Sequence, residues 1–200
     1  MNIVVVGGGS EGKFGQDFIN KATQDGHTVI NYSYREQSID EIVREFKACI
    51  PKHIDILIYN SNCGSYPFWA ETDYHKDCSV NLSAYYDTLK VHVVAPHAIS
   101  LCALANMNSS SSVIFMTTGS SLDIERNYNI SDCGYAGGKA WQNHLMLAMA
   151  HKNNVGVNFT SISPHFEYET DAYQQTLENV YNFIISKDKS KNGKIVSFGG

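Results

Sequence analysis

The chain has 200 residues, 43% apolar and 18% charged, which fits a globular domain with a full core. A net charge of -5 argues against a nucleic-acid surface, and no apolar run is long enough to span a bilayer. Five cysteines, odd in number and without a C-x-x-C pair, argue against a disulfide framework and fit reduced thiols in a cytoplasmic protein.

Asn2–Val6 is a short β-branched run that reads as a buried strand, with no signal peptide ahead of it. Gly7-Gly8-Gly9-Ser10-Glu11-Gly12-Lys13-Phe14-Gly15 follows, and then a helical pattern over Gln16–Asp25. Strand, glycine turn and helix make the first half of a dinucleotide site, because glycines let the backbone approach a pyrophosphate at a helix N-terminus. A ligand-free βα turn has the same composition, but the turn's place after the first strand favours a nucleotide. Thr28–Tyr32 reads as a second strand. Many dinucleotide folds put an acid for the ribose diol at its end. Here Ser33 and Arg35 stand there instead, and a hydroxyl with an arginine suits a 2'-phosphate, so NADP is expected ahead of NAD.

Ser38-Ile39-Asp40-Glu41 is a capping-box pattern. The helix it starts carries Ile39, Ile42, Val43, Phe46 and Ile50 on one face and stops at Pro51. His53–Tyr59 is the next buried strand, and its polar end Asn60-Ser61-Asn62 faces the same crevice as the glycine turn. Tyr66, Phe68 and Trp69 suggest an aromatic wall, and 73–87 is polar with a helical pattern. Leu89–Ala105 reads as one long apolar helix despite Pro96. Val113–Met116 is a strand with a hydroxyl-rich end, Thr117-Thr118-Gly119-Ser120-Ser121. A helix from Tyr135 to about His151, a strand over Val155–Ile162, a helix over Asp171–Ile185 and a strand over Lys194–Phe198 complete the chain. The alternation predicts one α/β domain over 1–200, a doubly wound parallel sheet of the Rossmann type.

Tyr135 and Lys139 are four apart on one helix face. An ammonium beside a phenol favours the phenolate, which suits a tyrosine that gives and takes a proton near neutral pH. Alone, the spacing is more often a core tyrosine beside a solvated lysine.

The ordered set resembles the short-chain dehydrogenase/reductase family over nearly the whole chain. Gly8 to Gly15 is similar to its Gly-x-x-x-Gly-x-Gly, with one extra residue between Gly12 and Gly15. Asp55-Ile56-Leu57-Ile58-Tyr59-Asn60-Ser61 resembles its Asp-Ile-Leu-Val-Asn-Asn-Ala, and Val91-His92-Val93-Val94-Ala95-Pro96 its Val-Asn-x-x-Gly-Pro. Tyr135-Ala136-Gly137-Gly138-Lys139 matches its Tyr-x-x-x-Lys. Gly156-Val157-Asn158, Ser163-Pro164-His165 and the Gly193–Gly200 terminus resemble its remaining signatures.

The resemblance implies an oxidoreductase acting on a carbonyl/alcohol pair with NADP or NAD. Tyr135 would be the acid/base, and Lys139 would tune it and hold the nicotinamide ribose. Gly8, Ser10, Gly12, Phe14, Gly15, Ser33, Arg35, Asn60, Ser61 and Pro164 would join these two in binding the cofactor. Thr118 stands where the family has its catalytic serine, with Ser120 just beyond as the rival. His92 stands where the family has the asparagine of a proton relay. No metal is implied. The usual third strand with its preceding helix is missing, so the sheet is expected to lack one edge strand, and the lid after Pro164 is short. The competing reading is a nucleotide-binding sensor without turnover on the same fold. The partners implied are a small molecule and a second copy, with Leu101, Leu104, Trp141, Leu145 and Met149 as the apolar surface of a homodimer or homotetramer.

Overall fold

Strands alternate with helices, and the crossover of each strand to a parallel neighbour sets the architecture. The computed structural model describes residues 1–8, 13–61, 82–118, 133–165 and 170–198. Among them a parallel six-stranded sheet has the order β2-β1-β3-β4-β5-β6. The strands are β1 (Asn2–Val6), β2 (Thr28–Tyr32), β3 (Ile56–Tyr59), β4 (Ser112–Met116), β5 (Asn158–Pro164) and β6 (Lys194–Phe198). The helices are α1 (Lys13–Gln24), α2 (Ile39–Cys49), α3 (Leu82–Leu89), α4 (Ala95–Leu104), α5 (Cys133–Lys152) and α6 (Asp171–Ser186). The chain winds from β1 out to β2, returns to β3 on the other side of β1, and then proceeds outward to β6. The winding therefore reverses between β1 and β3, and β2 forms the edge where the sequence lacks a further strand.

The central strands are buried on both faces, which is why they read as unbroken apolar runs. On one face Val4, Val6, Leu57, Tyr59, Val113 and Phe115 share a core with Ile42 and Phe46 of α2, Ile99 and Ala103 of α4 and Met146 of α5. On the other, Ile3, Val5, Ile56, Ile58, Ile114 and Met116 share one with Phe14 and Phe18 of α1 and Leu177, Val180 and Ile184 of α6. Each such side chain contributes about 1.5–3 kcal/mol. Tyr173 and Tyr181 of α6 donate to Asp17 and Asp25, so hydroxyl–carboxylate bonds tie α6 to α1 where their apolar faces end. Ile185 of α6 is half-buried against the same core.

The capping box forms as read. Ser38 Oγ accepts from the Glu41 N–H at 3.3 Å, and Glu41 Oε2 accepts from the Ser38 N–H at 2.8 Å. Ile50 is not on the helix face but extended, at φ -77° and ψ 149°, as a residue before proline must be. The neighbouring boundaries also shift. α1 starts at Lys13, three residues ahead of the periodic stretch. β3 starts only at Ile56, and the Asp55 carboxylate just before it accepts from the Asn2 N–H at 2.7 Å and lies 3.4 Å from His53 Nε2. β5 starts at Asn158, after a turn at Gly156 with φ +78°, and runs on to Pro164 in register with Phe198.

The expected helix over Leu89–Ala105 is instead α3, a π-helical turn over Lys90–Val94, and α4. Pro96 explains the break. Its ring would clash with the carbonyl four residues back, that of His92, and it has no N–H to offer. The wider turn accommodates it. The Ala95 N–H bonds to Lys90 O rather than to Val91 O, and Tyr34 from the β2 side donates its hydroxyl to Val91 O at 3.2 Å instead.

Candidate active site

In a parallel sheet the C-terminal ends of all strands share one edge, and the crevice opens where the winding reverses. Here that place lies between β1 and β3. The chain after β1 turns at Gly7, whose φ is +80° and whose Cβ would stand 2.5 Å from Ser61 Cα. A Cβ on Gly8 would meet Ile19 Cδ1 at 2.6 Å, and one on Gly15 would meet Asn60 Nδ2 at 2.6 Å and Gly8 Cα at 2.9 Å. Only glycine lets the turn, the start of α1 and the end of β3 approach this closely. The described ends of this glycine run, Gly7–Gly8 and Gly15, are thus packed closely against the end of β3 beside the start of α1.

Asn60 and Ser61, expected to line the cofactor, stand against this turn. Asn60 Nδ2 donates to Gly7 O at 3.1 Å, and Ser61 Oγ reaches Val6 O at 3.4 Å. Phe14 packs in the core against Phe18. Ser33 and Arg35 are exposed beyond β2. The Arg35 loop is fixed by its own backbone, the N–H donating to Gln37 Oε1 at 2.7 Å and the carbonyl accepting from Lys90 Nζ at 2.7 Å. Pro164 is half-buried at the end of β5. Ser10, Gly12, Ser120 and the aromatic residues Tyr66, Phe68 and Trp69 lie outside the described residues.

The chemistry-bearing side chains converge on α5. Lys139 is 2% exposed, and its Nζ donates to Met116 O at 2.7 Å, to Ser61 O at 3.1 Å and to Gln142 Oε1 at 3.3 Å. The ammonium thus joins α5 to the ends of β3 and β4, 5.9 Å from the Tyr135 ring centre. His92, from the π-helical turn, packs edge-on to Tyr135 with ring centres 5.7 Å apart. Gly138 makes room for it, since a Cβ there would stand 3.0 Å from His92 Cβ and Cδ2. His92 is wholly buried, and burial first, then the Lys139 charge, push its imidazole down to about 2. It is a neutral ring throughout the physiological range. Thr118 is half-buried two residues past β4, close along the chain to the Met116 carbonyl that Lys139 engages.

The structure therefore brings together Tyr135, Lys139, His92 and the ends of β3 and β4, with Ser33 and Arg35 beyond the end of β2, the edge strand. Sequence reasoning placed Gly7 in the glycine turn but missed Gly138 and Gln142. The signal for the last two was their spacing from Tyr135 and Lys139. Among the described residues no group of three or more His, Cys, Asp or Glu could hold a metal ion, and no helix is long and apolar enough to cross a membrane.

A parallel, doubly wound sheet with a glycine turn at the point of reversal defines a Rossmann-type fold. No family model and no curated protein matches the sequence. Solved structures do. A short-chain dehydrogenase/reductase from Serratia marcescens matches with a TM-score of 0.73 at 16% identity, over 98% of this chain and 94% of that one. BdcA, solved in complex with NADPH, matches with a TM-score of 0.74 at 12% identity, over 100% of this chain and 94% of that one. A short chain dehydrogenase family protein from Francisella tularensis matches with a TM-score of 0.70 at 16% identity, over 98% and 96%. The chain has the fold of the short-chain dehydrogenase/reductases.

The state of His92 generates a stability prediction. A histidine in the unfolded chain titrates near 6.5, and the folded value is pushed down to about 2. Between these values the unfolded state binds the extra proton, so stability is intact above about pH 6.5 and falls as pH drops, by about 1.4 kcal/mol per unit from this group. Urea unfolding at pH 6.5 and 4.5 is expected to show wild type losing roughly 2–3 kcal/mol more than His92→Asn. Parallel losses in the two proteins would contradict the burial of a neutral imidazole.

Proposed function

We propose that the protein is an oxidoreductase that uses a nicotinamide dinucleotide, with NADPH preferred, to interconvert a small carbonyl compound and its alcohol. The observation that carries this reading is the buried Lys139 ammonium on the same helix face as Tyr135, at the edge of the sheet where the glycine turn opens. The glycine-rich run ahead of α1 supports a pyrophosphate there, since backbone N–H groups at a helix N-terminus attract an anion. When bound, the cofactor supplies or accepts the hydride.

The chain's own residues supply the rest. Tyr135 gives a proton to the substrate oxygen as the carbonyl is reduced and takes one from the alcohol in reverse. Lys139 favours the phenolate by its charge and offers a donor to the nicotinamide ribose. Thr118 or Ser120 holds the substrate oxygen. His92 serves as a neutral packing wall for Tyr135 rather than as a charged relay, because protonation in this position is strongly disfavoured. Ser33 and Arg35 receive the 2'-phosphate, and Pro164 borders the nicotinamide. We place the protein in the cytoplasm, acting as a homodimer. Leu101 and Trp141 are more than half exposed on α4 and α5, and Leu147 adds to them. Leu104, Leu145 and Met149 contribute less than their sequence suggests, being half-buried against the core.

Tyr135→Phe is expected to bind NADPH as wild type does and to lose about two to four powers of ten in turnover across a panel of aldehydes and ketones. Wild-type turnover in that variant would remove the assignment. NADPH is expected to bind more tightly than NADH, and the ratio to collapse in Arg35→Ala. Equal wild-type affinities would contradict the 2'-phosphate site. Sedimentation equilibrium at micromolar concentration is expected to give a dimer that Trp141→Glu dissociates, and a wild-type monomer would refute the interface.

A further inference from the structure

Gln142 follows Lys139 on α5 at the i,i+3 spacing that puts two side chains on one face. It is wholly buried, its Oε1 accepts from Lys139 Nζ, and its Nε2 has no hydrogen-bond partner among the described residues. A buried amide donor without an acceptor is a net cost that an apolar side chain here would avoid. The reversed amide would set its NH2 against the ammonium, donor against donor. The residue is therefore accounted for by its oxygen. An ammonium has three donors, and among the described residues Gln142 Oε1 joins Met116 O and Ser61 O as an acceptor within reach. The other two are backbone oxygens fixed by the sheet edge. Of the three, Gln142 is the side chain, and its contact, at 3.3 Å, is the longest.

We infer that Gln142 is a positioning residue for Lys139: its amide oxygen sets where the buried ammonium stands relative to Tyr135 and to the cofactor. This rests on the proposed role of Lys139. It also makes Gln142 the acceptor that yields when the ammonium turns toward a ligand, because a side chain can move where the carbonyls of β4 and of the β3 end cannot. The orphan amide then marks a site built around the lysine, not around core packing.

The test uses the full chain with NADPH and a carbonyl substrate found in the panel. Gln142→Leu removes the oxygen together with the orphan amine at similar volume. Its thermal midpoint is expected to equal or exceed that of wild type, while turnover falls about tenfold, the worth of one hydrogen bond to a charge. Gln142→Glu restores an oxygen on the ammonium, so NADPH affinity is expected to return toward wild type. Its negative charge opposes the phenolate, and the pH at which turnover rises is expected to move upward. A Leu variant that unfolds, or that keeps wild-type kcat/KM, overturns the inference, and so does a Glu variant with the wild-type pH profile. Urea unfolding of Gln142→Leu, Lys139→Met and the double variant adds a readout that needs no substrate. Non-additive effects are expected, and additivity overturns the inference. Tyr135→Phe with full turnover would instead sink the proposed function and leave this coupling standing.

Discussion

The site depends on one buried charge. An ammonium withdrawn from water costs several kcal/mol unless oxygens replace its hydration, and Lys139 is held by a carbonyl at the end of β4, a carbonyl just past β3 and the Gln142 amide. The debt runs both ways. Carbonyls at the ends of strands have run out of ladder partners, and a buried carbonyl also needs a donor. The lysine satisfies the two strand ends, and they satisfy it. One turn before Lys139 on α5, Tyr135 packs against the His92 ring, with Gly138 providing the close approach.

A second constraint shapes the other end of the crevice. Among the described residues the sheet ends at β2, and the chain passes from β2 straight to α2 through a short loop. That loop is clamped to the π-helical turn by Tyr34 on Val91 O and Lys90 on Arg35 O. The π-helical turn follows from Pro96, and it also presents His92 to the α5 face. One proline thus bears on both the loop that carries Arg35 and the packing of Tyr135.

Much of this was legible because local chemistry dictates it. The β-branched run Asn2–Val6 and the box at Ser38 and Glu41 form as their residues require. The four-residue spacing of Tyr135 and Lys139 did put them on one face. Other features depend on contacts between segments far apart in the chain. Nothing in the neighbourhood of Asn60 says that its amide will turn back to Gly7, or that Phe14 will point into the core rather than into the crevice. Pro96 signalled a disturbance in its helix but not its form, because the π-helical turn is stabilised by Tyr34 from another element. Gln142 stood out only by its spacing from Lys139, since its value lies in an ammonium that the fold buries.

The most direct measurement is a fluorescence titration of NADPH against wild type and Lys139→Met, at a temperature where circular dichroism shows both folded. The account predicts saturable binding to wild type and an affinity at least about tenfold lower in the variant, as expected when a charged donor is lost from a ligand. Equal affinity in the two proteins, or no binding to wild type, would contradict the claim that the buried ammonium is the centre of a nucleotide site.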